Sequence, residues 1–282
     1  MLYVIKLIKI MNFCCWSIVL VTAKQQIGKI VRETGEVFTV TAAAQCLGIS
    51  SDKMAKTLAR WAKQGWLTRI KRGLYVVIPI DASSADRVLE DIWVLIPELY
   101  DSCYVGGWTA AEYWDLTEQI FHDVCVLTES AQTKKRLKVQ NTTFVSTKVR
   151  PQMVFGTKTI WKHSKKLQIS DPHKTIIDML YDPNLGGGIQ HVVACFKEYE
   201  RSEHCDFNKL GDYAERCNNG AIFKRLGFLA ERYLGDDHTL TLLCRNNLSQ
   251  GNSYLDPALK KGPLITRWRL FIPESFRMSH DS

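Results

Sequence analysis

The chain has nine cysteines but no C-x-x-C pair, which removes the zinc-ribbon reading, and their odd number argues against a complete disulfide framework. Reduced, buried thiols are expected instead, as for Cys125 in VCVL and Cys195 in VVACF. Catalytic signatures are missing as well. The seven histidines occur singly, with no H-E-x-x-H, no G-x-S-x-G and no acidic pair in a recognisable metal-binding motif. Asp236-Asp237-His238 is the nearest approach to a cluster and reads as the first turn of a helix. Gly186-Gly187-Gly188 lacks the Lys-Ser/Thr of a P-loop and reads as a turn needing positive φ. These absences point away from an enzyme, a metal and a cofactor. No internal repeat or low-complexity segment occurs. One further absence is local: residues 130 to 170 hold ten Lys or Arg and no acid, whereas residues 81 to 129 hold eleven acids and one base, Arg87.

What the chain does have is a dense set of local signals between residues 37 and 79. Thr39 or Thr41 can cap a first helix through Ala42, Ala43, Ala44 and Leu47, and Gly48 can end it because a tight turn needs a backbone without Cβ clashes. Ser50 and Ser51 offer a second N-cap, with Asp52 in the first turn where the helix dipole favours a negative charge. On a wheel of about 100° per residue, Met54, Leu58 and Trp61 form one apolar stripe and Lys53, Lys56, Arg60 and Lys63 cluster on the other side. Residues 66–70 and 74–78 then alternate like strands around Lys71-Arg72-Gly73.

Two helices, a tight turn and a cationic hairpin are the layout of a winged helix-turn-helix DNA reader, the helix suited to the major groove and the wing to flanking phosphates. The candidate DNA contacts are Ser51, Lys53, Lys56, Thr57, Arg60 and Lys63 on the second helix, with Arg69, Lys71 and Arg72 on the wing. Residues 24 to 80 hold ten Lys or Arg against three acids, which places the chain's basic surplus in this region. Salt-sensitive affinity for phosphate polymers follows.

A DNA reader of this type takes about 60 residues, so the 282-residue chain is expected to hold a second, larger domain. The expected organisation is an apolar leader over 1–23, the DNA-binding domain over 24–80 and an α+β domain over 81–282. The leader carries Lys6 and Lys9 before an apolar run from Ile10 to Val21, compatible in form with a secretory signal or an anchor. A DNA reader directly behind it favours a start-site artefact, with initiation at Met11 or Val21, and a cytoplasmic protein with no membrane partner. In the larger domain, residues 85–96 and 109–116 read as helices, and 121–128, 142–149, 157–162 and 167–169 as short strands. Helices follow at 173–180, 189–201, 207–217 and 222–233, and 266–272 reads as a strand or a strap. The fold class is α+β, an N-terminal winged helix-turn-helix followed by a larger mixed α/β domain, strands first and helices after.

The acid-free block supplies a second candidate surface: Lys134, Lys135, Arg136, Lys138, Lys148, Arg150, Lys158, Lys162, Lys165 and Lys166. It reads either as solvated faces or as a surface for a polyanion or an acidic partner. In SDPHKTIIDML, Ser170 or Asp171 caps, Pro172 takes the first helical position, and Ile176, Ile177 and Leu180 face inward. Asp178 either pairs with Lys174 at the surface or is held in the interior.

These strings together resemble the AbiEi-type antitoxins of bacterial abortive-infection, type IV toxin–antitoxin systems. The resemblance covers about residues 22 to 235. It rests on the helix-turn-helix and the wing ending GLYVVIP, on YVGGWTAAEYWDLTEQ (104–119), on SDPHKTIIDMLYDPNLGGG (170–188) and on FKRLGFLAERY (223–233). His173 stands where that family more often has an acid. The resemblance implies an N-terminal domain that binds inverted repeats of double-stranded operator DNA and represses its own operon. It also implies a C-terminal domain that neutralises a cognate nucleotidyltransferase toxin without an obligatory stable complex, and a role in phage defence. The basic block is then the candidate antitoxin surface. The alternative is a stand-alone winged-helix regulator whose second domain senses a ligand or dimerises.

Overall fold

Strand and helix boundaries in a computed structural model follow local chemistry closely at the N-terminal end. The structure describes residues 23–78, 91–130, 135–139, 141–162, 165–260, 262–274 and 276. The chain divides into two compact units, the division falling after Glu98. The leader up to residue 22, residues 85–90 of the helix expected there, and Lys134 lie outside the described residues.

The first unit opens with helix α1 (residues 23–34), followed by β1 (Val37–Thr39), α2 (Val40–Leu47), α3 (Ser51–Lys63), β2 (Leu67–Lys71) and β3 (Leu74–Val77). Thr39, not Thr41, caps α2: its hydroxyl accepts from the Ala42 N–H at 3.1 Å. Gly48 closes α2 at φ 65°, a left-handed conformation that an L side chain would strain. Ser50 occupies the N-cap of α3 without a side-chain capping bond, so the first turn relies on Asp52 and solvent. The strands form an antiparallel sheet ordered β1-β3-β2, with a register shift between Arg69 and Lys71 beside the turn at Gly73. Ile27, Ile30, Phe38, Ala43, Met54, Leu58, Trp61, Leu67 and Tyr75 make one core beneath them. A 3-10 turn (Ile92–Leu95), capped by Asp91, and one helical turn, α4 (Ile96–Leu99), carry the chain to the division.

The second unit is built on a six-stranded mixed sheet. Its strands are β4 (Cys103–Val105), β5 (Val124–Thr128), β6 (Arg136–Val139), β7 (Thr142–Lys148), β8 (Thr157–Lys162) and β9 (Lys165–Ser170), in the spatial order β6-β7-β5-β4-β9-β8. Helix α5 (Gly107–Tyr113) follows β4 after a tight Gly106-Gly107 junction. Gly107 has φ 56°, and a Cβ there would run into the Leu185 carbonyl, so the glycine lets backbone meet backbone. Helices α6 (Pro172–Tyr181), α7 (Ile189–Arg201), α8 (Phe207–Cys217), α9 (Gly220–Tyr233) and α10 (Thr239–Asn246) complete the body. The C-terminal strands β10 (Ser253–Tyr254), β11 (Leu264–Ile265) and β12 (Leu270–Phe271) form a small sheet. Residues 266–272 split into a 3-10 turn and β12 because Arg269 takes φ 49° between them.

Helix α6 lies at the centre. Asp171 caps it by accepting from the Lys174 N–H at 2.8 Å, Pro172 sits at its first position, and every side chain from Pro172 to Leu180 is buried. Inward packing is therefore not confined to Ile176, Ile177 and Leu180. His238 caps α10, so Asp236-Asp237-His238 is the start of a helix, and Asp236 is occupied by Arg245 at 2.6 Å.

Candidate nucleic-acid interface

Helix α3 separates its two faces cleanly. Met54 and Leu58 are 0% exposed and Trp61 1%, sealed against α1, α2 and β2, each such side chain contributing roughly 1.5–3 kcal/mol of burial. Ser51, Lys53, Lys56, Arg60 and Lys63 are exposed on the same helix. Thr57 is half-buried, and its hydroxyl donates to the Lys53 carbonyl one turn back at 3.0 Å, so its proton is already used within the helix. The wing cations Arg69, Lys71 and Arg72 are also exposed. Two of them are tethered: Lys71 Nζ donates to the Glu98 carbonyl at 2.6 Å and Arg69 Nε to the Lys71 carbonyl at 3.4 Å. These bonds hold the wing tip in shape while leaving its charge at the surface. No acidic side chain other than Asp52 stands on α3, so the helix presents a positive field at its solvent side.

The second basic set is divided by the sheet order. Lys135, Arg136 and Lys138 lie at or on edge strand β6, with Lys148 and Arg150 at the end of β7 beside it. Lys158 and Lys162 lie on β8, the opposite edge, with Lys165 and Lys166 on β9. Five strand spacings separate β6 from β8, about 24 Å at 4.8 Å per step, so one sequence block makes two surfaces. Lys162 and Lys165 are half-buried and the others are exposed. Arg136 pairs with Asp123 at 2.8 Å, and Lys158 Nζ sits 4.9 Å from the centre of the Trp114 ring.

Residues 25–78 match the family model described as "Transcriptional regulator, AbiEi antitoxin". The N-terminal unit carries an AbiEi-type regulator domain. All nine candidate DNA contacts fall inside the matched AbiEi-type segment. Among solved structures, the "RV2827C protein from Mycobacterium tuberculosis" superposes with a TM-score of 0.61 over 89% of this chain and 90% of that one, at 12% identity. At that identity the likeness concerns the fold, and it extends beyond the AbiEi-type domain to the second unit. No curated protein matches the chain.

Other polar groups of the second unit serve the fold. Lys174 and Asp178 are both 0% exposed and form a short, direct ion pair, with the Tyr104 hydroxyl 3.0 Å from Lys174 Nζ and 3.1 Å from Asp178 Oδ2. Asp178 is thus held in the interior and not at the surface. Burial pushes its carboxyl above the ordinary range, against the pull of Lys174 and of the Tyr104 hydroxyl. Arg225 donates to the carbonyls of Leu180, Tyr181 and Tyr254, and burial pulls its guanidinium down to about 10. His173 meets the Tyr199 hydroxyl at 2.7 Å, and burial lowers its imidazole from the usual value. His191 bridges the Gly186 carbonyl at 2.6 Å and the Thr117 hydroxyl at 2.8 Å, and burial lowers its imidazole too. The cysteines at 46, 103, 125, 195, 205, 217 and 244 are all free. Among the described residues no cluster of three or more His, Cys, Asp or Glu could hold a metal, and no helix is long and apolar enough to cross a membrane.

Sequence reasoning missed Tyr104 as the third member of the buried pair and Trp161 as an exposed aromatic on β8. The first has no local signal, since Tyr104 and Asp178 are 74 residues apart. The second had one: in KTIWK a tryptophan interrupts a basic, alternating strand.

Proposed function

We propose that the protein is a cytoplasmic antitoxin of type IV that represses its own operon through a winged helix-turn-helix and neutralises a nucleotidyltransferase toxin through its second unit, in phage defence. The observation that carries the DNA-binding half is α3: three bulky side chains sealed behind and four cations exposed in front, inside the segment that matches the regulator family. Lys53, Lys56, Arg60 and Lys63 supply groove and phosphate contacts, and Arg69, Lys71 and Arg72 supply flanking phosphate contacts. Inverted repeats require two such readers, supplied by two copies of the chain.

The toxin-directed half is supported by the cations at the two sheet edges, either of which suits a polyanion or an acidic partner. A mobility-shift assay on the DNA upstream of the gene tests the first half. Lys56→Ala with Arg60→Ala should remove the shift, and an unchanged shift would overturn it. Growth on induction of the neighbouring toxin gene tests the second: rescue should survive the same double substitution. Absence of rescue by the wild-type chain would leave the stand-alone regulator as the better reading.

A further inference from the structure

Beside the cations already invoked, the β8–β9 hairpin carries an exposed aromatic that neither half of this reading uses. Trp161 is 67% exposed, on a strand that forms one edge of the six-stranded sheet. Its partner in register across the hairpin is Lys166, also exposed, and directly opposed residues share a face with their Cβ atoms about 5 Å apart. The neighbouring pair on that face is Thr159 and Gln168, joined by a bond of 2.9 Å from the Gln168 amide. On the opposite face of β8, Lys158 reaches over the Trp114 ring, and Tyr113 packs edge-on against Trp114 at 4.9 Å while remaining 39% exposed.

The setting of this indole decides what it suits. An apolar docking patch would be rimmed by apolar side chains, whereas Trp161 is surrounded by an ammonium group, an amide and a hydroxyl in a stretch without a single acid between residues 130 and 170. An open aromatic face with a cation beside it matches a base followed by its phosphate. A duplex hides its base faces inside the stack, so the complementary ligand is single-stranded.

We propose that the β8–β9 hairpin binds single-stranded nucleic acid, one base stacking on Trp161, the adjoining phosphate meeting Lys166, and Thr159 and Gln168 facing the sugar or base edge. The site stands on the second unit alone and does not depend on operator recognition by α3.

Fluorescence anisotropy with labelled 15-nucleotide oligo(U) and oligo(dT) tests it, using the full chain and the full chain carrying Lys56→Ala and Arg60→Ala. Trp161→Ala should weaken binding about tenfold in both backgrounds, in keeping with the usual worth of one stacked base. Trp161→Phe should restore most of it, and Lys166→Ala should weaken binding with a shallower salt dependence. Binding of the operator duplex should be unchanged by Trp161→Ala. Tighter binding of oligo(U) than oligo(dT) would add a ribose hydroxyl contact, and equal binding would place recognition on base and phosphate. Equal affinities for wild type and Trp161→Ala would overturn the proposal. So would a shift from oligomer to monomer on gel filtration of Trp161→Ala, which would assign the edge to self-pairing. Should Trp161→Ala lower the melting temperature, the exposed Lys166→Ala carries the same test.

Discussion

The two units use cations in opposite ways. In the first, an amphipathic helix turns Lys53, Lys56, Arg60 and Lys63 outward while Met54, Leu58 and Trp61 close the core behind them. In the second, Lys174, Lys224 and Arg225 are buried and spend their donors on Asp178, on the Gly251 carbonyl and on the carbonyls ending α6. The exposed cations between residues 135 and 166 are parted by the sheet onto opposite edges. A run of positive charge in a chain thus predicts a positive surface only where one element of secondary structure sorts it onto one face.

The sharpest way to break this contrast is to remove a buried partner. Asp178→Ala leaves the Lys174 ammonium unpaired in the core, with an expected loss of about 3–5 kcal/mol in chemical denaturation. Replacing both by apolar residues, Lys174→Met with Asp178→Leu, should recover much of that loss. Equal damage from the double variant would show that the pair does more than neutralise itself.

A smaller effect is expected in the first unit. Thr39→Ala removes the N-cap of α2 and should cost about 1 kcal/mol, read as an earlier unfolding transition of that unit, with Thr39→Ser close to wild type.

Next comes pH. Burial lowers the imidazoles of His173 and His191, so the unfolded chain takes up protons near pH 6.5 that the folded unit resists. Their contribution is fully present above that pH and is lost as pH falls through the depressed folded values. The melting temperature of the second unit should therefore drop between pH 7 and pH 5, and the drop should be smaller in His191→Gln. A drop of the same size would remove His191 from the account.

Least of all should stability respond to Lys56→Ala with Arg60→Ala, by no more than about 0.5 kcal/mol, because neither side chain has a buried role. Loss of DNA binding without loss of stability is the signature of an outward-facing cation. A large destabilisation would erase the contrast between the units.

From Thr39 to Val77 the first unit was legible in the sequence because its signals are short-range, whereas α1 and β1 went unread. A cap acts over three residues, a helix stripe repeats within four, and a glycine at a turn is decided by its own φ; Thr39, Gly48 and the α3 stripe all reflect this. In the second unit, β8 and helices α7 and α8 had the same clarity. β4 and β6, at three and four residues, were too short for any period to register.

Lys174 and Asp178 are one helical turn apart, and that spacing serves a solvated pair and a buried pair equally well. Only the packing of β4, α5 and the helices around α6 excludes water and brings in Tyr104. Likewise, the cations between residues 130 and 170 read as one block, and only a strand order that places β6 and β8 at opposite edges divides the described ones and leaves Trp161 beside Lys166 in the open. By itself, then, the sequence determined the longer elements and the helix faces and pointed to a DNA reader, because those depend on neighbours along the chain. The tertiary structure decided which charges are buried and which share a surface, because that depends on residues brought together from far apart.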